Sequence, residues 1–473
     1  MTLQIFLFFI IFLEGYIVLS TELLALRLII PFVGNATDTT AIIIAAVLMP
    51  LAFGYYAGGA AKHPYRKKLV FNLCVAGIFL VLGLSYPVVK LFFEFWSIIP
   101  NVTGRLVSTS LYALTFLVVP IFLLGQTVPL VSHFLKSNDL SRMTGRILFF
   151  STIGSFMGAI ICTIVLMPLI GVHHTVSLTI AAIVLLIFLL CRRNRECYVA
   201  LAMLALSIVC NSNYALTRFG IVANNQYNTI KVFESADESR RFMIINNTAA
   251  SGVYTKPGEH NNAAFPYIDY VDKNFIAPPL PSGAIKDILI IGTGGFTVGQ
   301  KDLKNNYTFV DIDPELEHVA QDYLLGEKLP PNKKFIAADA RSFIADAQRI
   351  KSGNKFDLIF LDIYQDNFSA PAHTTTQDFL RQLRATLKPG GVMVANFIVS
   401  PNYTDVYAIR LDQTLRSVFP LLSRQIVGPF NPWGTDPHAM ANVIYIMYEH
   451  AVPVPGIYTD DLNRSFLDKD KKP

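Results

Sequence analysis

The sequence predicts a multi-span α-helical membrane domain, then a small antiparallel β unit, and then a Rossmann-like α/β domain. Three observations predict this architecture. Apolar runs fill roughly the first two hundred residues, a stretch of alternating apolar and polar residues follows, and strands then alternate with helices after the glycine-rich turn at Gly292–Gly295. The expected boundaries are residues 1–211, 212–283 and 284–473.

Six apolar runs in the first half are long enough to span a bilayer. They cover residues 3–30, 39–61, 69–99, 107–135, 147–170 and 173–191. A seventh run, 197–210, is only about fourteen residues long, so it spans only if the residues after it are drawn in. Charged residues make up 15% of the chain, well below the roughly 25% of soluble proteins. The sequence therefore predicts a multi-pass protein of the cell membrane, in contact with the lipid bilayer, with six or seven spans.

Most of the charge between these runs lies in the connections after the second, fourth and sixth run. The basic residues there are Lys62, Arg66, Lys67, Lys68, Lys136, Arg142, Arg146, Arg192, Arg193 and Arg195. By the positive-inside rule these connections, and the N-terminus with them, are cytoplasmic. Seven spans would then place the soluble half outside the cytoplasm, and six would keep it inside.

The first apolar run also carries three ionisable residues, Glu14, Glu22 and Arg27. Charged groups inside a bilayer are costly and mark either an ion or substrate site or an internal ion pair. An internal Glu–Arg pair is the favoured interpretation, and a transport site stays open. None of the five cysteines has the spacing of a zinc site or a disulfide framework, and no metal is expected. The chain has no stripe of basic and aromatic residues, so nucleic acid is not an expected partner.

The pattern of apolar residues changes along the soluble half. The segments YNTIKVFES, RRFMIIN and ASGVYT alternate with period two and predict an antiparallel β unit. After the Pro-rich stretch 277–283, strands and helices alternate, with a turn expected at KPGG (388–391). That order predicts a parallel sheet with crossover helices.

Ligands of such sheets bind at the carboxyl ends of the strands, at the topological switch point. The strand ends here carry a glycine turn and several acids, namely Gly292, Gly294, Gly295, Asp311, Asp313, Asp339 and Asp362. Glycines let the backbone approach a ligand closely, Asp311 is placed to accept both ribose hydroxyls, and Asp339 to meet an adenine amino group. The phosphate-binding G-x-G-x-x-G is absent because Thr297 fills its last position. A nucleoside without a pyrophosphate is therefore the expected ligand. Because nucleosides are supplied in the cytoplasm, we expect the soluble half on that side.

These motifs resemble the spermidine synthase (polyamine aminopropyltransferase) family, in particular its membrane-fused bacterial members. The segments VDIDPE, ADARSF, FDLIFLDIY, APAHTTTQDF and LKPGGVMVAN match in order, and FLEGYIVLSTELLALRLI, GQTVPL and ILFFSTIGSFMGA resemble stretches of the membrane half. The resemblance implies the S-adenosylmethionine-dependent methyltransferase type of Rossmann-like fold. It also implies pairing of two copies through the β unit.

In that family decarboxylated S-adenosylmethionine is the co-substrate and gives its aminopropyl group to a small-molecule amine; no tightly bound cofactor is expected. The resemblance implies that Asp311 holds the ribose, that Asp339 and Ala340 lie at the adenine, and that Asp362 is catalytic. On the amine side it implies Tyr267, Asp269 and Asp366. A carboxylate at Asp362 fits the chemistry, because an ammonium has to lose a proton before it attacks.

The sequence departs from the family pattern at several positions. Gly295 stands where the family's glycine turn has an aspartate, Ile268 replaces a His or Gln, and Asp366 comes one residue late. Two alternatives therefore stay open. One is methyl transfer from ordinary S-adenosylmethionine, and the other is a non-catalytic membrane transporter or sensor with a degenerate domain.

Overall fold

A computed structural model describes most of the chain. The described residues are 2–34, 37–99, 104–135, 139–256, 263–277, 284–346, 355–364, 370–428 and 440–449. The predicted site residue Asp366 lies outside them.

The first half is a bundle of helices. They are α1 (Thr2–Val33), α2 (Thr37–Gly59), α3 (Tyr65–Gly83), α4 (Tyr86–Ser97), α5 (Arg105–Phe116), α6 (Val118–Gly125), α7 (Thr127–Ser132), α8 (Leu140–Ile160), α9 (Met167–Leu190), α10 (Asn194–Cys210) and α11 (Asn213–Thr217). A π-helical segment, Ile161–Leu166, joins α8 to α9.

Three stretches of the described residues are long and apolar enough to cross a membrane: Leu3–Val33, Thr37–Gly59 and Leu140–Leu190. The pairs α3–α4 and α5–α7, bent by 67° and 44°, raise the number to five if each pair is one span. The predicted runs 147–170 and 173–191 both fall in the third stretch. That stretch breaks at Gly171, whose φ of 79° and ψ of 166° are not helical.

Glycines let α1 and α8 pack backbone against backbone. A Cβ atom at Gly154 would overlap the carbonyl oxygen of Phe12, and one at Gly158 would overlap that of Tyr16. From the other side, a Cβ at Gly15 would overlap the carbonyl oxygen of Ser151. Small residues at such contacts let two helix backbones approach closely. This is how helices associate in a bilayer, where the hydrophobic effect does not drive them together.

The expected Glu–Arg pair inside α1 is wrong. Arg27 donates its hydrogen bonds to residues of the soluble half, and both carboxylate oxygens of the buried Glu14 lack a hydrogen-bond partner among the described residues. The spacing explains this, because side chains meet on a helix at three or four residues and Glu22 precedes Arg27 by five.

The soluble half contacts the bundle at the end opposite the basic connections. At the basic end, Arg66 donates to the carbonyl oxygens of Leu190 and Cys191, which places the α2–α3 and α9–α10 connections together. Helices α3 and α10 both run from that end to the other. There, Tyr86 packs in one cluster with Leu216 and Ile221.

The β unit is a four-stranded antiparallel sheet. Its strands β1 (Ile221–Asn224), β2 (Thr229–Glu234), β3 (Arg240–Ile245) and β4 (Thr248–Tyr254) pair in sequence order. The last three coincide with the three alternating segments, and β1 precedes them. Helix α12 (Pro266–Val271) follows and continues as a π-helical turn, Asp272–Ile276.

The predicted Rossmann-like fold is confirmed by a seven-stranded sheet. Its strands are β5 (Asp287–Ile291), β6 (Asn306–Asp311), β7 (Lys333–Ala337), β8 (Phe356–Leu361), β9 (Leu387–Val399), β10 (Leu422–Val427) and β11 (Ala441–Tyr448). Its helices are α13 (Glu315–Val319, continued by a π-helical Ala320–Leu325), α14 (Ala340–Ala345), α15 (Gln377–Ala385) and α16 (Val406–Val418).

The strand order β10-β11-β9-β8-β5-β6-β7 reverses direction at β5. Strands β5 to β9 are parallel. At one edge, β11 pairs antiparallel with β9, and β10 pairs antiparallel with β11. The chain leaves β5 toward β6 on one side and returns to β8 on the other. The crevice between the carboxyl ends of β5 and β8 is therefore the switch point at which such sheets bind ligands.

The turn expected at KPGG lies inside β9. Phe356 of β8 pairs with Leu387, and Leu358 pairs with Val392, so the four residues Lys388–Gly391 form a bulge opposite a single residue. Gly390 supplies the positive φ, 80°, that such a bulge requires.

Candidate functional site

Asp362 follows β8 directly and is held from two sides. The hydroxyl of Tyr267, on α12, donates to its Oδ2 at 2.9 Å. The side-chain amide of Asn396, on β9, donates to its Oδ1 at 2.9 Å. Because both oxygens accept a hydrogen bond from a fixed element, the carboxylate has one orientation at the switch point.

Burial sets the acidity of Asp362. It raises the pKa of this carboxyl to about 6, against the opposing effect of the hydrogen bonds from Asn396 and Tyr267. Burial likewise raises the pKa of Tyr267 well above its usual value, so its hydroxyl stays a donor. A carboxylate whose pKa lies this close to neutral is suited to bind a cationic amine and to take up a proton from it.

Asn396 is a site residue that the sequence reasoning missed. Its Oδ1 is buried and has no hydrogen-bond partner in the described part of the chain, although its amide group contacts Asp362. Tyr364 fixes the strand here, since its hydroxyl donates to the Asn396 carbonyl at 3.1 Å and accepts from the Ile398 N–H at 2.7 Å. The available signal was a polar residue in the apolar strand VMVANF.

Asp311, at the end of β6, faces the same turn from the other side. Its Oδ2 accepts from the Thr293 N–H at 3.0 Å, and its Oδ1 from the Asp313 N–H at 3.2 Å. Burial raises its pKa to about 6 as well. Each oxygen keeps acceptor capacity for a further donor, as a carboxylate that binds hydroxyl groups needs.

Gly292 lies at the turn that both aspartates border. It has a φ of 86°, and a Cβ atom there would overlap the carbonyl oxygen of Asp362. The next residue, Thr293, carries the N–H that binds Asp311. The structure thus brings Gly292, Asp311 and Asp362 together around one short turn.

The rest of the glycine turn packs against the β unit. The N–H of Gly295 donates to the Ser251 hydroxyl at 2.7 Å, and a Cβ atom at Gly295 would overlap the end of the Leu324 side chain. Gly294 has a φ of 48° and also lies against Ser251. Ser251 and Leu324 therefore fill the space that the aspartate of the family pattern would need.

Asp313 lies behind Asp311 and is fully buried. Its Oδ1 accepts from the Asn225 amide at 2.7 Å and the Glu315 N–H at 3.0 Å, and its Oδ2 from the Asn228 amide at 2.7 Å. The structure places this predicted cofactor-binding residue against the β unit, where it supports Asp311.

The remaining predicted residues make other contacts. Asp339 caps α14 by accepting from the Ser342 N–H at 2.9 Å, its side chain is 37% exposed, and the next residue, Ala340, begins that helix. His373 Nε2 lies 3.8 Å from the Oδ2 of Asp339. Asp269 forms an ion pair with Lys273 at 2.6 Å. The described residues contain no group of three or more His, Cys, Asp or Glu side chains that could hold a metal ion.

Residues 277–428 match the family model of the spermine/spermidine synthase domain. A polyamine aminopropyltransferase of Vibrio vulnificus (strain CMCP6) is 30% identical over 203 residues, which cover 41% of this chain and 62% of the relative. A probable polyamine aminopropyl transferase of Bifidobacterium longum (strain NCC 2705) is 30% identical over 153 residues, or 32% of each chain. This chain thus spans less than two thirds of either relative.

Two further similarities involve a methyltransferase and a solved structure. An N-terminal histidine N-methyltransferase of Emericella nidulans is 28% identical over 228 residues, which cover 45% of this chain and 40% of that protein. The crystal structure of a probable spermidine synthase from Corynebacterium glutamicum superposes with a TM-score of 0.40 at 19% identity, covering 48% of this chain and 79% of that one.

Proposed function

We propose that the protein is a membrane-bound transferase that moves an aminopropyl group from decarboxylated S-adenosylmethionine to a small amine. The match of residues 277–428 to the spermine/spermidine synthase domain supports this proposal. One observation carries the proposal. The carboxylate of Asp362 is fixed by Tyr267 and Asn396 at the switch point, across the glycine turn from Asp311.

Each group in the crevice has a task in this reaction. Asp311 accepts the ribose hydroxyls, and Asp339 lies at the strand end next to it, on the adenine side. Asp362 binds the amine as an ammonium and accepts the proton that the amine loses. The nitrogen then forms a bond to the carbon next to the sulfonium, the C–S bond breaks, and 5′-methylthioadenosine leaves with the electron pair on sulfur.

Most of the rate in such a transfer comes from alignment. The sulfonium is already an activated leaving group, so holding nitrogen, carbon and sulfur in line supplies much of what remains. The hydrogen bonds that orient Asp362 serve this purpose. The Oδ1 of Asn396, which has no hydrogen-bond partner within the described ranges, adds an acceptor beside the carboxylate for a second N–H of the amine.

The test is product formation by the full chain in lipid nanodiscs, with and without the Asp362→Asn substitution. Removing the base should lower kcat/KM for the amine by about 10²- to 10⁴-fold, the usual contribution of general base catalysis. Asp378→Asn is the matched control, since that side chain is 75% exposed and lies on α15, and its rate should stay unchanged. Absence of product with every sulfonium donor and amine, or full activity of the Asp362 variant, would contradict the proposal.

Methyl transfer from ordinary S-adenosylmethionine is a second candidate. It is favoured by Gly295, where Leu324 and Ser251 occupy the space of the family's aspartate, so the donor tail meets a different surface. The similarity to an N-methyltransferase points the same way. Offering both donors and measuring the mass gained by the acceptor distinguishes the two reactions.

A further inference from the structure

Arg27 leaves the helical bundle and ends in the β unit. It lies near the carboxyl end of α1 and is 5% exposed. Its Nε donates to the Asn225 carbonyl at 2.7 Å, and its Nη2 donates to Thr229 Oγ1 at 3.2 Å and Asn224 Oδ1 at 3.4 Å. A residue of a membrane helix thus fixes the connection between β1 and β2.

Asn225 carries this contact to the Rossmann-like domain. Its Oδ1 accepts from the N–H groups of Tyr227 and Asn228 at 2.8 and 2.9 Å, which holds the side chain in place. Its Nδ2 then donates to Asp313 at 2.7 Å. Both ends of the amide are engaged, so a shift of the β1–β2 connection moves the donor to Asp313.

Asp313 is the last link before the ligand crevice, because its backbone N–H donates to Asp311 at 3.2 Å. Asn225 is 7% exposed and Asp313 is 0% exposed. A carboxylate in such a place needs partners, since an unpaired buried charge is costly. Burial raises the pKa of Asp313, whereas the hydrogen bonds from Asn228, Glu315 and Asn225, and the charge of Arg27, act in the opposite direction.

We propose that Arg27 and Asn225 are positioning residues for the nucleoside. Through Asp313 they set the orientation of the Asp311 carboxylate, so the membrane helix α1 takes part in holding the donor. The inference rests on the proposed function in one respect, which is that Asp311 binds the ribose. It explains why an arginine in a membrane helix has no acidic partner inside the bundle among the described residues.

The test measures nucleoside affinity in the full chain in nanodiscs. The probes are 5′-methylthioadenosine and S-adenosylhomocysteine, which share adenosine and cover both candidate reactions. Arg27→Gln and Asn225→Ala should each weaken binding by about tenfold, the size expected for residues that act through a chain of contacts. The dissociation constant of the double variant should be at most about twice that of either single variant, because the effects of residues in one network are not additive. Arg27→Lys, which keeps the charge, should restore part of the affinity.

Arg66→Gln is the matched control. Arg66 also donates to two carbonyl oxygens, but at the opposite end of the bundle, so its loss should leave nucleoside affinity unchanged. In steady-state kinetics the Arg27 and Asn225 variants should raise KM for the donor, with the amine KM unaltered. A merely structural role would alter both substrates or only the melting temperature.

The failures are distinguishable. If the wild type binds neither probe, the proposed function and this inference fall together. If the wild type binds while Arg27→Gln and Asn225→Ala bind equally well, only the inference is overturned.

Discussion

At the scale of single residues, burial raises the pKa of two carboxyl groups at the switch point. Asp311 and Asp362 have pKa values raised to about 6. Their partners differ: among the described residues, Asp311 accepts from backbone N–H groups, whereas Asp362 accepts from the side chains of Tyr267 and Asn396. The acidity of Asp362 can therefore be altered by substitution without changing the sheet.

We predict that Tyr267→Phe moves the pH dependence of the transfer upward. The Tyr267 hydroxyl lowers the pKa of Asp362, so its removal raises that pKa, and the active carboxylate form is then reached only at higher pH. The midpoint of the acidic limb, near pH 6 in the wild type, should rise by about one to two pH units, since a hydrogen bond to a charged group contributes about 1.5–3 kcal/mol. The measurement is kcat/KM for the amine at saturating donor, which leaves the titration of Asp311 out of the comparison.

Tyr323→Phe is the control for that experiment, because Tyr323 is 44% exposed and lies in the segment after α13. Its pH profile should match the wild type. An unchanged midpoint in Tyr267→Phe would show that Asp362 is not the group that titrates.

At the scale of elements, the contact between α1 and α8 connects the helical bundle to the site. Helix α1 carries Arg27 at one end, and its middle is fixed against α8 by glycines on both helices. The position of Arg27 relative to the β unit thus depends on how closely these two helices approach each other.

We predict that Gly154→Ala destabilises the protein although alanine favours helix. The added Cβ overlaps the Phe12 carbonyl oxygen, which is backbone, so the helices have to separate. Overpacking of this kind costs about 1–3 kcal/mol. Gly145→Ala in the same helix meets nothing within 4 Å and should be neutral or slightly stabilising. Melting temperatures in one detergent compare the two, and equal values would argue against a close α1–α8 contact.

At the scale of the whole molecule, two arguments about sidedness oppose each other. The supply of nucleosides favours a cytoplasmic soluble half. The bundle geometry favours the other side, because the soluble half contacts the end opposite the Arg66 connection, which carries the basic residues. Helix α10, with 17 residues, runs the full way between those ends beside α9.

If the charge bias of short connections sets the orientation of this protein, the soluble half lies outside the cytoplasm. A protease added to intact cells should then remove the soluble half, and the α2–α3 connection should be cut only after lysis. A soluble half that stays protected until lysis would contradict this orientation and would place the site beside the cytoplasmic nucleosides.

Much of the fold follows from local pattern. The strands β5 to β9 each read as a short apolar run bounded by turn residues, and the chain order of strands and helices fixes a parallel sheet. Strand β10 could not be predicted from the sequence, because LSRQIV has only a short alternation and the strand forms an edge of the sheet. The KPGG bulge was predicted as a turn because a glycine with positive φ has the same local signature in either place.

The candidate site was predictable where a residue ends a strand and was not where two distant segments meet. Asp311 and Asp362 follow β6 and β8, so the parallel sheet alone brings them to one edge. The role of Asp313 and the presence of Asn396 depend on which neighbour each side chain reaches, across 88 and 34 residues of sequence respectively.

The sequence by itself determined the apolar bundle, the Rossmann-like order of strands and the acids at their carboxyl ends, because period, length and strand-end position are local properties of the chain. Only the tertiary structure decided that Arg27 donates its hydrogen bonds to the soluble half, that Ser251 and Leu324 fill the place of an aspartate, and which end of the bundle carries the site. Those are contacts between segments that lie far apart in sequence. Packing selects such contacts, and no local pattern encodes how the segments pack.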